Sequence, residues 1–444
     1  MKKKFYRAAA LLLSVLTICG CEDMSEAAST ASGYGTLPFV STASPDELPA
    51  IAMTSYTAPE VRTDAPADED SSGGAVSSAK KTARLKDADT GAFHERLEQI
   101  CEENGVYGMG VAVFANGKVI HTDSVGYADM ENEIPVTENT KFRAASASKL
   151  ISTILVMKLC DEGMLDFDGD LTEQTGLEYY CEQTGEVKLW HVLTHTAGLT
   201  DTYEYDVLSP SQRFSTNYLL KSAHIGTKAG EFYNYSNFGA GTMGAIVESI
   251  TGMFFHRYAD KVLFKPLNMD AAYLVDLLKD RDSCAKIYDH DGEVFDVPHW
   301  VRTSAYYESF GLGNSYLTAQ CELLITARDL ALLGTALAGD GTVNGVRIIS
   351  EDSLNKMHDV YIETDYYGMG LNVRQYRGNL VDDRTICGHP GNALGAITGL
   401  FYDRTDGTGV ALLTNRSNYY EDAECGLYRT DSAVVKAAYE AFFR

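Results

Sequence analysis

Apolar positions fall into blocks of different period along the chain. Phe93, Leu97, Ile100 and Cys101 recur at helical spacing and Gly105 supplies a stop, which predicts a helix beginning near Asp89. Met109–Phe114 and Lys118–Asp123 flank Asn116-Gly117, two residues that tolerate positive φ, so this stretch predicts a tight hairpin. From Ser146 to Cys160, Leu150, Ile151, Ile154, Leu155, Met157 and Leu159 leave little polar face, the pattern of a buried helix. Helical patterns and loops then dominate to about Leu337. Strand character returns at Gly368–Val373, Ile397–Tyr402 and Gly409–Leu413. The last element, Asp431 to Phe443, starts on an Asp and carries apolar Val434, Val435, Ala438, Tyr439 and Phe442, predicting an amphipathic helix. Strands near both ends with helices between predict an α+β fold. Its antiparallel sheet is completed by both termini and flanked by helices, with a mostly helical insertion at about 150–337.

The stretch ahead of Asp89 lacks such periodicity. Residues 22–88 are rich in Ser, Thr, Ala, Pro, Asp and Glu, and are expected to form a disordered acidic tether to a folded domain at 89–444. Residues 1–21 read as a secretory signal: Lys2, Lys3, Lys4 and Arg7 precede an apolar run, Ala8–Ile18, too short to span a bilayer comfortably. The run ends Ile18-Cys19-Gly20-Cys21, which resembles a bacterial lipobox. Cys21 is then the expected lipidation site, and an ordinary cleaved signal is the alternative. The lipobox reading implies export and anchoring to the outer face of a bacterial cytoplasmic membrane, with lipid as the only membrane contact.

A content of 45% hydrophobic and 22% charged residues is ordinary for a globular chain, but the net charge of -25 repels phosphate backbones and argues against nucleic acid as a partner. Cys101, Cys160, Cys181, Cys284, Cys321, Cys387 and Cys425 form an odd set without Cys-x-x-Cys spacing. They predict neither a disulfide framework nor a zinc site.

Candidate chemistry lies in three short motifs. Ser146 and Lys149 stand three apart at the start of a helix, where the amine reaches the hydroxyl. Ser77 with Lys80, Ser78 with Lys81, Ser283 with Lys286 and Ser353 with Lys356 share that spacing, but only Ser146 is followed by a long apolar helix able to bury its lysine. Tyr235-Ser236-Asn237 puts a possible acid or base two residues from an amide in an irregular loop. His389-Pro390-Gly391 has rivals at His224 and His290, yet only His389 sits among the late strands, where a sheet edge can border a cleft. Each motif alone also fits a plain structural use.

In order, Ser-x-x-Lys, Tyr-x-Asn and His-x-Gly resemble the serine β-lactamase and penicillin-binding-protein family, which includes class C β-lactamases, D-alanyl-D-alanine carboxypeptidases, D-aminopeptidases and esterases. Trp190–Leu199, Phe264–Met269 and Thr326–Leu330 are similar to further family stretches, so the likeness runs from about residue 92 to the C-terminus. It implies Ser146 as nucleophile, Lys149 and Tyr235 as the groups that activate it, and Asn237, His389, Gly391 and Asn392 as substrate-binding residues. The backbone N–H groups of Ser146 and Asn392 are the implied oxyanion hole. No cofactor or metal is implied. Gly-x-Ser-x-Gly and His-Glu-x-x-His are absent, and the alternating Asp166, Asp168 and Asp170 lack the Gly and Glu of a calcium loop. His195 is expected to wall the site rather than act in it.

Many family members carry Lys-Thr-Gly where this chain has His389-Pro390-Gly391, and there the ammonium and hydroxyl bind a substrate carboxylate. Pro390 has neither hydroxyl nor N–H. The expectation is therefore a serine hydrolase acting on a small ester, or on a D-amino-acid or cell-wall-like peptide. A β-lactamase or D-Ala-D-Ala carboxypeptidase is the alternative, and a non-catalytic surface-binding lipoprotein is the alternative of another class. Oligomeric state is not legible in the sequence.

Overall fold

α1 (Thr90–Asn104) starts where the Asp89 carboxylate accepts the Ala92 N–H at 3.0 Å and stops at Gly105, whose φ of 61° a Cβ would oppose. β1 (Gly108–Ala115) and β2 (Lys118–Asp129) follow as an antiparallel hairpin, with Asn116 and Gly117 at φ 52° and 76° as the turn requires. The computed structural model describes residues 82–208, 214–295 and 303–443. The signal segment, Cys21 and most of the tether lie outside them.

Residues 82–88, assigned to the tether by composition, belong to the fold. Leu85 bridges Phe443, the Lys86 N–H donates to the Phe442 carbonyl at 2.9 Å, and Ala83 is buried. The short apolar contacts that hold them are too few to register as a periodic pattern.

The remaining strands of the main sheet are β3 (Ile134–Pro135), β4 (Ile362–Glu363), β5 (Gly368–Met369), β6 (Arg374–Arg377), β7 (Thr385–Ala393), β8 (Ala396–Asp403) and β9 (Thr408–Thr414). Their order is β3-β2-β1-β9-β8-β7-β6-β5-β4, antiparallel throughout, so strands from both ends of the domain meet where β1 pairs with β9. β1 is buried along its whole length because both faces are covered. Met109, Val111 and Val113 join Val410, Leu412 and residues of α1 on one side, while Ala112 and Phe114 join Ala411 and Leu413 on the other. The strand expected over Gly368–Val373 is broken. Asn372 turns left-handed at φ 53° and donates its N–H to Leu193, so β5 and β6 are separate.

On the second face lie α2 (Ser148–Asp161), α3 (Asn237–Thr251) and α4 (Ala327–Ala338). The stretch expected as a helical insertion is not uniform: α4, near its end, packs directly on β1 and β9. The terminal helix α5 (Arg429–Phe442) begins two residues before Asp431, which is therefore a wholly buried residue of the first turn rather than the cap. All seven cysteines among the described residues are free, and none of the described helices is alone long and apolar enough to cross a membrane.

Candidate active site

Ser146 sits in a single 3-10 turn, Ala145–Ala147, that runs straight into α2. Ala145 has φ 46°, a left-handed conformation that an alanine rarely adopts. The turn places Ser146 Oγ 3.0 Å from Lys149 Nζ, one helical turn on. Lys149 is fully buried, and its other contacts are the Asn237 Oδ1 at 3.0 Å and the Gln320 carbonyl at 3.3 Å. Both of these oxygens can only accept. Two Nζ–H bonds are thereby spent on Asn237 and Gln320, and the third direction of the nitrogen faces Ser146 Oγ.

Tyr235 and Asn237 converge on that lysine from different elements. Asn237 is the first residue of α3 rather than part of a loop, and the Ser236 hydroxyl caps the helix by accepting the Gly239 N–H at 2.9 Å. The Tyr235 ring centre stands 5.1 Å from Lys149 Nζ. His195 backs it: the imidazole lies 4.3 Å from the Tyr235 ring, and Nδ1 accepts the Ser236 N–H at 3.2 Å. Burial, aided by Lys149 and Arg374, pushes the His195 pKa down to about 3, so the ring is a neutral wall.

Asp201, two residues beyond the Trp190–Leu199 stretch, was not singled out by its sequence. Its carboxylate accepts from the Ser236 hydroxyl, the Asn237 and Phe238 N–H groups and the Asn237 Nδ2, at 2.8 to 3.1 Å. This fixes which end of the Asn237 amide meets Lys149. Gln320 was likewise missed, since a backbone carbonyl leaves no trace in residue type. No spacing links either to Ser146.

β6 pairs with β7 only as far as Gly388, so from His389 onward one side of β7 is unpaired and lies against the Ser146 turn. Gly391 marks the closest approach: a Cβ there would stand 2.9 Å from the Ser146 nitrogen and 2.8 Å from the Ala144 carbonyl. Thr398 on β8 clips the same turn through a 2.6 Å bond to the Ala144 carbonyl. The His389 ring is fully buried, 6.3 Å from the Tyr235 ring, with Nδ1 donating to the Pro390 carbonyl. Burial, then Arg374 and Lys149, hold its pKa well below the usual imidazole value, so His389 is neutral. The Asn392 side chain is engaged with the Tyr428 hydroxyl at 2.8 Å, which leaves its backbone as the group available to a ligand.

The structure thus gathers Ser146, Lys149, Tyr235, Asn237, His389, Gly391 and Asn392 around one turn. Of the rival pairs, Ser77 with Lys80 and Ser78 with Lys81 lie outside the described residues, and the other two fall elsewhere. Lys286 is salt-bridged to Asp129 and Glu131, and Lys356 to Asp352. Asp170 caps a short helix at Leu171–Thr175, so the alternating aspartates form a turn.

The family model described as Beta-lactamase matches residues 92–434. Protein flp of Staphylococcus aureus (strain MRSA252) is 24% identical over 178 residues, which cover 39% of this chain and 36% of that protein. A Beta-lactamase of Yersinia enterocolitica is 30% identical over 182 residues, 40% of this chain and 45% of that one. The chain thus matches less than half the length of these curated relatives. Among solved structures, the D-amino acid amidase of Ochrobactrum anthropi SV3 superposes with a TM-score of 0.63 at 22% identity, covering 79% of this chain and 97% of that one. Such a likeness is one of fold. With the family model matching most of its length, the chain belongs to the β-lactamase family.

Proposed function

We propose that the protein is a serine hydrolase that works through an acyl-enzyme on Ser146. The observation that carries this reading is the placement of Lys149, whose two N–H bonds to acceptor-only oxygens leave its third direction on Ser146 Oγ. In the neutral amine that direction holds the lone pair. Lys149 takes the Ser146 proton, Oγ bonds to the substrate carbonyl carbon, and the tetrahedral adduct expels an amine or alcohol that leaves with a proton. Water then cleaves the acyl-enzyme and restores Ser146. Tyr235 stands over Lys149, where it can pass that proton to the leaving group. The Ser146 and Asn392 N–H groups serve as the oxyanion hole, at about 3–4 kcal/mol per donor. The bare Gly391 supports this, because a side chain there would close off the Ser146 nitrogen.

The substrate is an amide or ester, of the small-ester, D-amino-acid or cell-wall-peptide type. The neighbouring fold of a D-amino acid amidase and the neutral His389-Pro390 pair support this class. A lipid anchor at Cys21, holding the enzyme at the outer face of the membrane, belongs to the same proposal and rests on the basic, apolar, Cys-ending start.

Intact-mass measurement after fluorophosphonate, and separately after penicillin, tests the reading. The expected result is one adduct, lost in Ser146→Ala. Folded protein that forms no adduct and hydrolyses no ester or peptide would overturn it, and a penicillin adduct that turns over would make it a β-lactamase.

A further inference from the structure

Asn372 lies between β5 and β6, fully buried and left-handed at φ 53°, a conformation that Asn takes more readily than most residues. It belongs to none of the motifs gathered at Ser146, yet it reaches two segments that position the reacting groups. Its Nδ2 donates to Thr153 Oγ1 on α2 at 3.0 Å, and Thr153 Oγ1 donates to the Lys149 carbonyl at 2.8 Å. Its backbone N–H donates at 2.8 Å to the carbonyl of Leu193, two residues before His195.

Each link of this chain has a fixed polarity. The single hydroxyl proton of Thr153 is spent on the Lys149 carbonyl, so Thr153 can only accept from Asn372. Nδ2 therefore points to α2 and Oδ1 points away from it. His195 is neutral and its Nδ1 accepts the Ser236 N–H, so the ring proton sits on Nε2. Nε2 is wholly buried, and the side chain of Asn372 lies within hydrogen-bonding reach of the ring. Asn372 Oδ1 is buried too and has no other partner among the described residues. A donor and an acceptor thus complement each other, and either one left alone in the interior would be costly. Tyr235 is held through its ring, by His195 at 4.3 Å and by Lys149 and His389 around it. The aim of its hydroxyl follows from the groups packed on that ring.

Resting on the acyl-enzyme reading, we propose that Asn372 is a positioning residue that ties α2 to the Tyr235 loop. Its Oδ1 accepts the His195 Nε2–H, which fixes the imidazole against Tyr235 and aims the phenol at the leaving group. One buried amide thereby keeps the segment that carries Lys149 and the residue that passes on its proton in register.

The test measures leaving-group sensitivity in the full chain. Ethyl butyrate and p-nitrophenyl butyrate give the same acyl-enzyme, but ethoxide must be protonated as it leaves and p-nitrophenolate need not be. Asn372→Leu keeps the side-chain size and removes both bonds. It should lower kcat/KM for the ethyl ester relative to the nitrophenyl ester by about tenfold, part of the roughly 10²–10⁴-fold that a positioned proton donor is worth. In a Tyr235→Phe background, where the hydroxyl is gone, the same substitution should leave the ratio unmoved. Because the readout is a ratio within one protein, a loss of folded enzyme cancels. Thr153→Val releases Asn372 from α2 with little change in shape; it should shift the ratio in the same direction, and it replaces Asn372→Leu if that variant does not fold. A ratio unmoved by the substitution, or moved equally with and without the Tyr235 hydroxyl, overturns the assignment. So does a wild type that labels with fluorophosphonate but turns over neither ester, since no leaving group then takes a proton from Tyr235. A wild type that neither labels nor turns over ester removes the hydrolase reading with it.

Discussion

The Asp201 carboxylate receives Asn237 Nδ2 at 3.1 Å, and so the other end of that amide, Oδ1, is turned onto Lys149 at 3.0 Å. An amide is nearly symmetric in shape, and only its partners decide which end faces where. Asp201 also brings negative charge to the start of α3, where it meets the positive end of the helix dipole and stabilises the helix by about 1 kcal/mol. Asp201→Asn is expected to lower kcat about tenfold with little change in KM and to lower the melting temperature by a few degrees. Steady-state kinetics and thermal unfolding check this. An unchanged kcat would mean the Asn237 orientation does not matter.

Lys149 and Tyr235 can be separated by their acylation rates. With Lys149 as the base, Lys149→Met should slow fluorophosphonate labelling by about 10²–10⁴-fold, the usual worth of a positioned base. Tyr235→Phe keeps the ring against His195 and should acylate much faster than Lys149→Met. The reverse ranking would make Tyr235 the base.

Gly391→Ala places a methyl group where the Ser146 nitrogen, the Ala144 carbonyl and Thr398 Oγ1 already crowd. The Ser146 turn has to shift, and a shift of even 1 Å in a nucleophile costs about 10²-fold in rate. The expected outcome is a folded protein, by circular dichroism, with kcat/KM reduced to that extent. Full activity would show that β7 does not press on the turn.

Asp206 lies in a short helical turn, Glu204–Leu208, just after Asp201, and burial, helped by the Asp201 charge, pushes its pKa up to about 7. The native state therefore holds a proton on Asp206 that the unfolded chain releases near pH 4. Between those values stability falls as pH rises, and above about 7 the whole cost of the buried charge is present. Asp206→Asn removes that cost, so its stabilisation over wild type should grow from pH 4 to pH 8 in denaturant titrations. A difference that does not vary with pH would exclude the shift.

The parts of the fold that were legible in the sequence are those set by neighbours in the chain. Asn116-Gly117 made its hairpin because both residues take positive φ, and Gly105 ended α1 for the same reason. Ser146 and Lys149 were legible because one helical turn joins them. Asp201, Gln320 and Arg374 were not, since each reaches the site from a segment far away in sequence and touches it through a carboxylate, a backbone carbonyl or a ring face. The terminal helix begins at Arg429, two residues before the Asp that residue type alone marks as its start. Asp431 has the residue type of a cap but lies inside the first turn, buried near Arg374.

Ala145 carries a further consequence. A left-handed alanine gives up about 1–2 kcal/mol of stability that a glycine would recover. The residue preceding the nucleophile is thus a place where the protein is less robust than its own fold permits. Selection for heat tolerance alone would drift toward glycine at 145, loosening the turn that aims Ser146. An alanine at 145 therefore holds the turn that aims Ser146 more stiffly than a glycine would, at a cost in stability.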